Sequence, residues 1–202
     1  MDEMTVFNNV ELCGILADAP FFSHGSRGER FYQFPLETIR LSGAADRVNI
    51  VVREELLQSL EATPMEKIRV TGEVRSFNNR SGEGNRLIIT VFARNISLSD
   101  EPDHNHVTLT GTLCKKPTLR ATPMGREICD MMLAVNRRYG RSDYLPCIAW
   151  GLRARECAHW DVGTRVAVEG RLQSRNYIKT IDGIPVEKTA FEVSVTNAEE
   201  LK

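Results

Sequence analysis

No apolar run in these 202 residues approaches the ~20 needed to cross a bilayer. The opening MDEMTVFNNV has no basic region followed by an apolar core, so no secretory signal is read and a cytoplasmic protein is expected. The five cysteines, Cys13, Cys114, Cys129, Cys147 and Cys157, form no C-x-x-C pair, and only Cys157 and His159 bring a cysteine close to a histidine. Those spacings exclude the common zinc and redox motifs, so no metal and no cofactor is expected, and the cysteines read as small reduced hydrophobes. Catalytic signatures are missing too: there is no G-x-x-x-x-G-K-[ST] loop, no G-x-S-x-G elbow and no H-E-x-x-H. The adjacent carboxylates Glu54 with Glu55 and Glu199 with Glu200 fall on a solvated helix face and at the terminus, so the chain does not read as an enzyme.

What the chain does have is a repeat, and a repeat fixes the organisation before any element is assigned. NNVELCGILADAP (8–20) lies over NHVTLTGTLCKKP (105–117) at an offset of 97, which also pairs Gly28 with Gly125, Leu36 with Leu133 and Arg40 with Arg137. The offset grows to 98 at Val70 with Val168 and Gly72 with Gly170, then to 99 at Phe92 with Phe191. Register kept over some 80 positions with two single-residue shifts means two copies of one domain. Their expected boundaries are 1–99 and 105–202, joined by a linker at 100–104 within the acidic, proline-containing SLSDEPDHNH.

Each copy reads mostly as strands. HVTLTGTL, RVAVEGRL and AFEVSV alternate apolar and polar residues with period two, while CDMMLAVN and YLPCIAWG are short and apolar. One helix is expected per copy, LRARECAHW in the second and REELLQSLEA in the first. Five strands with a helix between the third and fourth is the layout of the OB-fold, so the predicted class is all-β, two tandem five-stranded OB-fold barrels. Gly111 and Gly170 sit inside strands, which marks bulges or tight barrel corners.

A net charge of −1 conceals two unlike halves: residues 1–104 carry 11 Lys+Arg against 16 Asp+Glu, and residues 105–202 carry 15 against 11. The second copy is the electrostatic candidate for a polyanion. Aromatics make up only 7% of the chain, so their placement matters. Phe191 is expected to point into the barrel with Val193 and Val195, whereas Tyr139 lies in a polar hairpin. Tyr144 and Trp150 are six apart and share a face if the third strand is regular, although Pro146 points to an edge or bulge there. In GRLQSRNY (170–177), Leu172 faces the core while Arg171, Gln173 and Arg175 face the other way. Aromatics beside Arg137, Arg138, Arg141, Arg171 and Arg175 suit a single-strand binder, in which bases stack on rings and cations track phosphates.

The second copy resembles the bacterial single-stranded DNA-binding protein family over almost all of residues 105–197. The resemblance is carried by N-x-V-x-L-x-G-x-L at its start, P-x-L-R-x-T-P-x-G in the first hairpin, L-A-V-N-R in the second strand and V-E-G-R-L-Q-S-R-N-Y in the fourth. It implies an OB-fold that stacks bases of single-stranded DNA on Tyr139, Tyr144, Trp150 and Tyr177, with phosphate contacts from Arg120, Arg137, Arg138, Arg141, Arg171 and Arg175. It also implies a homodimer restoring four OB-folds, and a nucleoid-associated role in replication, recombination or repair.

Two departures qualify the resemblance. In the first copy Leu41, Arg53 and Asn79 stand where Arg138, Trp150 and Tyr177 are expected, so that copy is read as degenerate and mainly structural, with Arg75 and Phe77 a remnant. The sequence stops at NAEELK without the acidic tail of general replication members, which fits a specialised member from a mobile element or a conjugative or competence pathway. The alternative function is an OB-fold adaptor in a replication or recombination complex, with little affinity of its own for DNA.

Overall fold

The computed structural model describes residues 7–60, 63–80, 85–137 and 140–202. Among the described residues, twelve strands and two short helices fall into two equivalent sets. The first is β1 (Asn8–Leu16), β2 (Phe21–Ser26), β3 (Glu29–Ile39), β4 (Ala45–Arg53), α1 (Glu54–Gln58), β5 (Lys67–Asn78) and β6 (Leu87–Leu98). The second is β7 (His104–Leu113), β8 (Thr118–Ala121), β9 (Glu127–Asn136), β10 (Ser142–Trp150), α2 (Gly151–Cys157), β11 (Arg165–Ile181) and β12 (Ile184–Glu200). The offsets read from the sequence carry β4 onto β10 and the start of β5 onto the start of β11. Each helix lies between the third and fourth of the five expected strands, and each copy adds a short sixth strand, β2 or β8, on its first hairpin.

Both copies are closed. In the first the strand order is β2-β3-β4-β6-β5-β1, and β1 also pairs with β3; in the second it is β7-β11-β12-β10-β9-β8, and β7 also pairs with β9. One strand must therefore bend to serve two neighbours, and glycines sit where it does. A Cβ on Gly14 would lie 2.2 Å from the Glu37 carbonyl oxygen, and one on Gly111 2.6 Å from that of Ala134. A Cβ on Gly72 or Gly170 would come as close to the carbonyl oxygens of Phe92 and Ser194, at 2.1 and 2.2 Å. The in-strand glycines are thus corners where a side chain has no room.

The cores follow the alternation. Val10, Leu12, Phe34, Leu36, Val48, Ile50, Ile68, Val70 and Val74 fill the first barrel, and Val107, Leu109, Leu133, Leu145, Val166, Val168 and Leu172 the second. All five thiols are free, and four are buried. Burial pushes the Cys147 and Cys157 thiols up to about 12 and that of Cys129 to about 11. α1 is shorter than its apolar stripe implied and buries none of its own residues.

The chain divides into two compact units. One comprises residues 7–9, His106–Leu172 and Glu192–Lys202; the other comprises Val10–Asn105 together with Gln173–Phe191, the outer part of the β11–β12 hairpin. Within that second unit the Ser174 amide donates to the Asp46 carboxylate at 2.9 Å, and the Arg47 amide donates to the Ser174 hydroxyl at 3.0 Å. This changes two expectations. Gln173 does not face solvent with Arg171 and Arg175 but is 5% exposed, beside Leu172 at 2%. Phe191 is only half-buried and, rather than filling a barrel with Val193, lines a cleft with Ala45, Arg47 and Asn49.

Candidate nucleic-acid interface

The site is built on β10. Its odd residues Leu145, Cys147 and Ala149 are buried, which turns Tyr144 and Trp150 outward on the opposite face. The ladder to β9 runs from Ser142↔Asn136 to Trp150↔Ile128 with no register shift. The bulge that Pro146 pointed to is therefore absent, and the two rings do share a face. Pro146 is accommodated because the parallel pairing of β10 with β12 is made at Cys147 and Ile148, past the residue that lacks an N–H.

Tyr144 is 49% exposed and lies opposite the small Ala134; Trp150 is 36% exposed. The Trp150 indole N–H donates to the Ser194 hydroxyl on β12 at 3.2 Å. That bond holds the ring by its edge, leaves part of its surface in solvent and fixes the orientation before any ligand arrives.

The arginines divide by what already holds them. Arg137 is bound bidentately by Asp143, with Nε 2.6 Å from Oδ2 and a second bond from the terminal nitrogen to Oδ1. Asp143 is wholly buried and the Arg137 side chain 24% exposed, so this guanidinium braces the β9–β10 hairpin rather than standing open to a phosphate. Arg120 is exposed but forks onto Asp130. Arg141 is exposed on the hairpin, where its carbonyl accepts the Arg137 amide at 2.7 Å. Arg138 and Tyr139 lie outside the described residues. Arg171 is half-buried on β11.

Arg175 and Tyr177 belong to the unit that contains the first copy. Arg175 is exposed and its guanidinium lies 5.8 Å from the centre of the half-buried Tyr177 ring. The predicted residues thus form a Tyr144–Trp150 face with Arg141 in one unit and an Arg175–Tyr177 pair in the other.

Sequence reasoning missed two features. The first is the acid that pairs each hairpin arginine: Asp46 binds Arg40, with Nε to Oδ2 at 2.7 Å, as Asp143 binds Arg137, and Asp46 is equally buried. The signal was present, since both acids lie six residues after their arginine at the offset of 97. The second is an aromatic and arginine array in the supposedly stripped first copy. His24 stacks on Phe31 at 4.8 Å, Phe31 lies 6.0 Å from Phe92, and the guanidinium groups of Arg53 and Arg75 stand 5.3 and 5.8 Å from the Phe92 centre. Arg75 keeps the place expected of a remnant, and Phe77 is exposed.

Residues 104–201, which contain the Tyr144–Trp150 face, match the single-strand binding protein family. They belong to that family. Single-stranded DNA-binding protein A of Bacillus subtilis (strain 168) is 39% identical over 80 residues, 36% of this chain and 46% of that protein. Single-stranded DNA-binding protein 3 of Streptococcus agalactiae serotype V is 34% identical over 80 residues, covering 58% of its own length. The chain thus spans about half the length of the curated relatives it matches. Wild-type single-stranded DNA binding protein from Thermus aquaticus has the same fold at a TM-score of 0.79, with 22% identity over 98% of this chain and 94% of that one. The tandem OB-fold is therefore shared over the whole chain, while family membership rests on the second copy. Among the described residues no helix is long and apolar enough to cross a membrane.

Proposed function

We propose that the second copy binds single-stranded DNA without sequence preference, by stacking bases on Tyr144 and Trp150 and contacting phosphates through Arg141 and Arg171, with Arg175 and Tyr177 as a further stacking and phosphate pair. The observation that carries this is the pair of exposed rings on one strand face, one of them pinned by its edge to Ser194. Stacked bases contribute about 1–3 kcal/mol each in single-strand binding OB-folds, and the contact is indifferent to sequence because every base has a π-face. Family membership of residues 104–201 supports the same ligand. The chain acts as a binding module rather than an enzyme, with domains at 1–99 and 105–202 around a linker at 100–104. It works as a homodimer presenting four OB-folds, at cytoplasmic DNA undergoing replication, recombination or repair.

Anisotropy of a labelled oligo-dT strand at low and moderate salt, with labelled duplex as control and Trp150→Ala alongside, tests the reading. Salt-sensitive binding of the single strand, far weaker binding of duplex and a loss in the variant are expected. Absence of single-strand binding at low salt would leave the adaptor function in its place. Sedimentation equilibrium reads the dimer separately.

A further inference from the structure

The outward face of β4 is the counterpart of the face of β10 that carries Tyr144 and Trp150. The offset of 97 places Arg47 at the position of Tyr144, Asn49 at that of Pro146 and Arg53 at that of Trp150. Asp46, Val48, Ile50 and Val52 are buried, so Ala45, Arg47, Asn49 and Arg53 turn outward by the same alternation, with Val51 on that face covered at 8% exposed. Two rings have been exchanged for two cations on an identically placed strand.

The surroundings suit cations rather than bases. Phe31 is 7% exposed and Phe92 half-buried, and the Phe92 ring already has Arg53 and Arg75 against it. The Phe92 π-system holds both guanidinium groups in place. From Arg53 the face runs six residues, about 20 Å at ~3.3 Å per residue, to Arg47. There it opens into a cleft of ≈ 420 Å³ lined by Arg47, Asn49, Ser174, Asn176, Thr189 and Phe191. A cation stands at each end, Asn49 lies between them, and the cleft at the Arg47 end adds the hydroxyls of Ser174 and Thr189; such groups contact a phosphodiester backbone.

The acidic residues on this face do not block it. Asp18 pairs with Arg47, Glu29 with Arg53, and Glu73 with Arg75 and Arg94. Arg47 and Arg53 keep 53% and 43% of their side-chain surface in water, and exposed ion pairs of this kind add little stability. Each guanidinium can exchange a carboxylate for a phosphate of the same charge and similar geometry at small cost.

We propose that the outward face of β4, from Arg53 to Arg47, is a second single-stranded DNA site that holds the strand by its phosphates instead of by stacking. This rests on the function proposed for the second copy and gives the first copy a strand contact of its own.

The test is the salt dependence of binding by the full chain, measured with oligo-dT strands of about 8 and about 30 nucleotides, since one OB-fold occupies ~4–16. Each phosphate neutralised on a single strand contributes about 0.7 to the slope of log K against log salt. With the long strand, the Arg47→Ala/Arg53→Ala double variant is expected to flatten the slope by about 1.4, and the Lys/Lys double variant to restore it. With the short strand the alanine variant binds like wild type. Trp150→Ala lowers affinity for both strands without changing the slope. An unchanged long-strand slope in the alanine variant, with Trp150→Ala still impaired, overturns this proposal alone. Failure of the wild type to bind either strand overturns it together with the function it rests on.

Discussion

Removing either partner of the Arg137–Asp143 pair should destabilise the second copy, and by unequal amounts. Asp143 has no side-chain surface in water, whereas Arg137 keeps 24% of its own. Asp143→Asn retains the shape and one acceptor oxygen but loses the charge and one of two charge-assisted hydrogen bonds. Such bonds contribute about 1.5–3 kcal/mol, and Arg137 can turn partly into solvent, so a loss of about 2 kcal/mol is expected. Arg137→Met leaves a buried carboxylate without its guanidinium, which places it in the range of about 3–5 kcal/mol. Both tryptophans, Trp150 and Trp160, lie in the second copy, so urea unfolding followed by their fluorescence reports on it directly. At a slope of about 2 kcal/mol/M the midpoint should fall by about 1 M for Asp143→Asn and by more for Arg137→Met. Midpoints within about 0.25 M of wild type for both, or a larger loss for Asp143→Asn, would refute the reasoning.

Ser194→Ala frees the Trp150 edge while keeping the ring, so it should weaken single-strand binding several-fold, less than Trp150→Ala; equal affinity of Ser194→Ala and wild type in an anisotropy titration would show that the hydrogen bond does not orient the ring. Gly170→Ala must displace the Ser194 carbonyl and is expected to cost about 1–3 kcal/mol in thermal or urea unfolding. Gly25→Ala, whose nearest neighbour is 3.7 Å away, should be close to neutral in the same assay. The Cys147 and Cys157 thiols stay neutral in the fold up to about 12, whereas unfolded thiols ionise near ~8.5. Stability should therefore fall as pH rises above ~8.5, and Cys147→Ala should make that fall shallower in urea titrations across pH 7–10.

Much of the barrel was legible because the repeat supplies two readings of each strand. Period-two spacing put Tyr144 and Trp150 on one face, and the in-strand glycines marked the corners correctly. Alternation failed at Gln173 and Phe191, where β11 and β12 leave one unit and enter the other. There a strand's inside and outside depend on what it lies against, and Ser174 meets Asp46 across 128 residues of sequence. The arginines were the other weak point. Composition identifies cations, but whether Arg137 or Arg141 is available to a phosphate depends on which carboxylate reaches it.

By itself the sequence determined two copies of a β-barrel domain, the family of the second copy and, for a regular third strand, that Tyr144 and Trp150 share a face. These follow from local periodicity and from a repeat that pairs equivalent positions. Only the tertiary structure decided that Arg137 is committed to a buried Asp143 and that residues 173–191 pack with the first copy. Each of those depends on charges and surfaces brought together from distant parts of the chain, and one-dimensional periodicity carries no information about such partners.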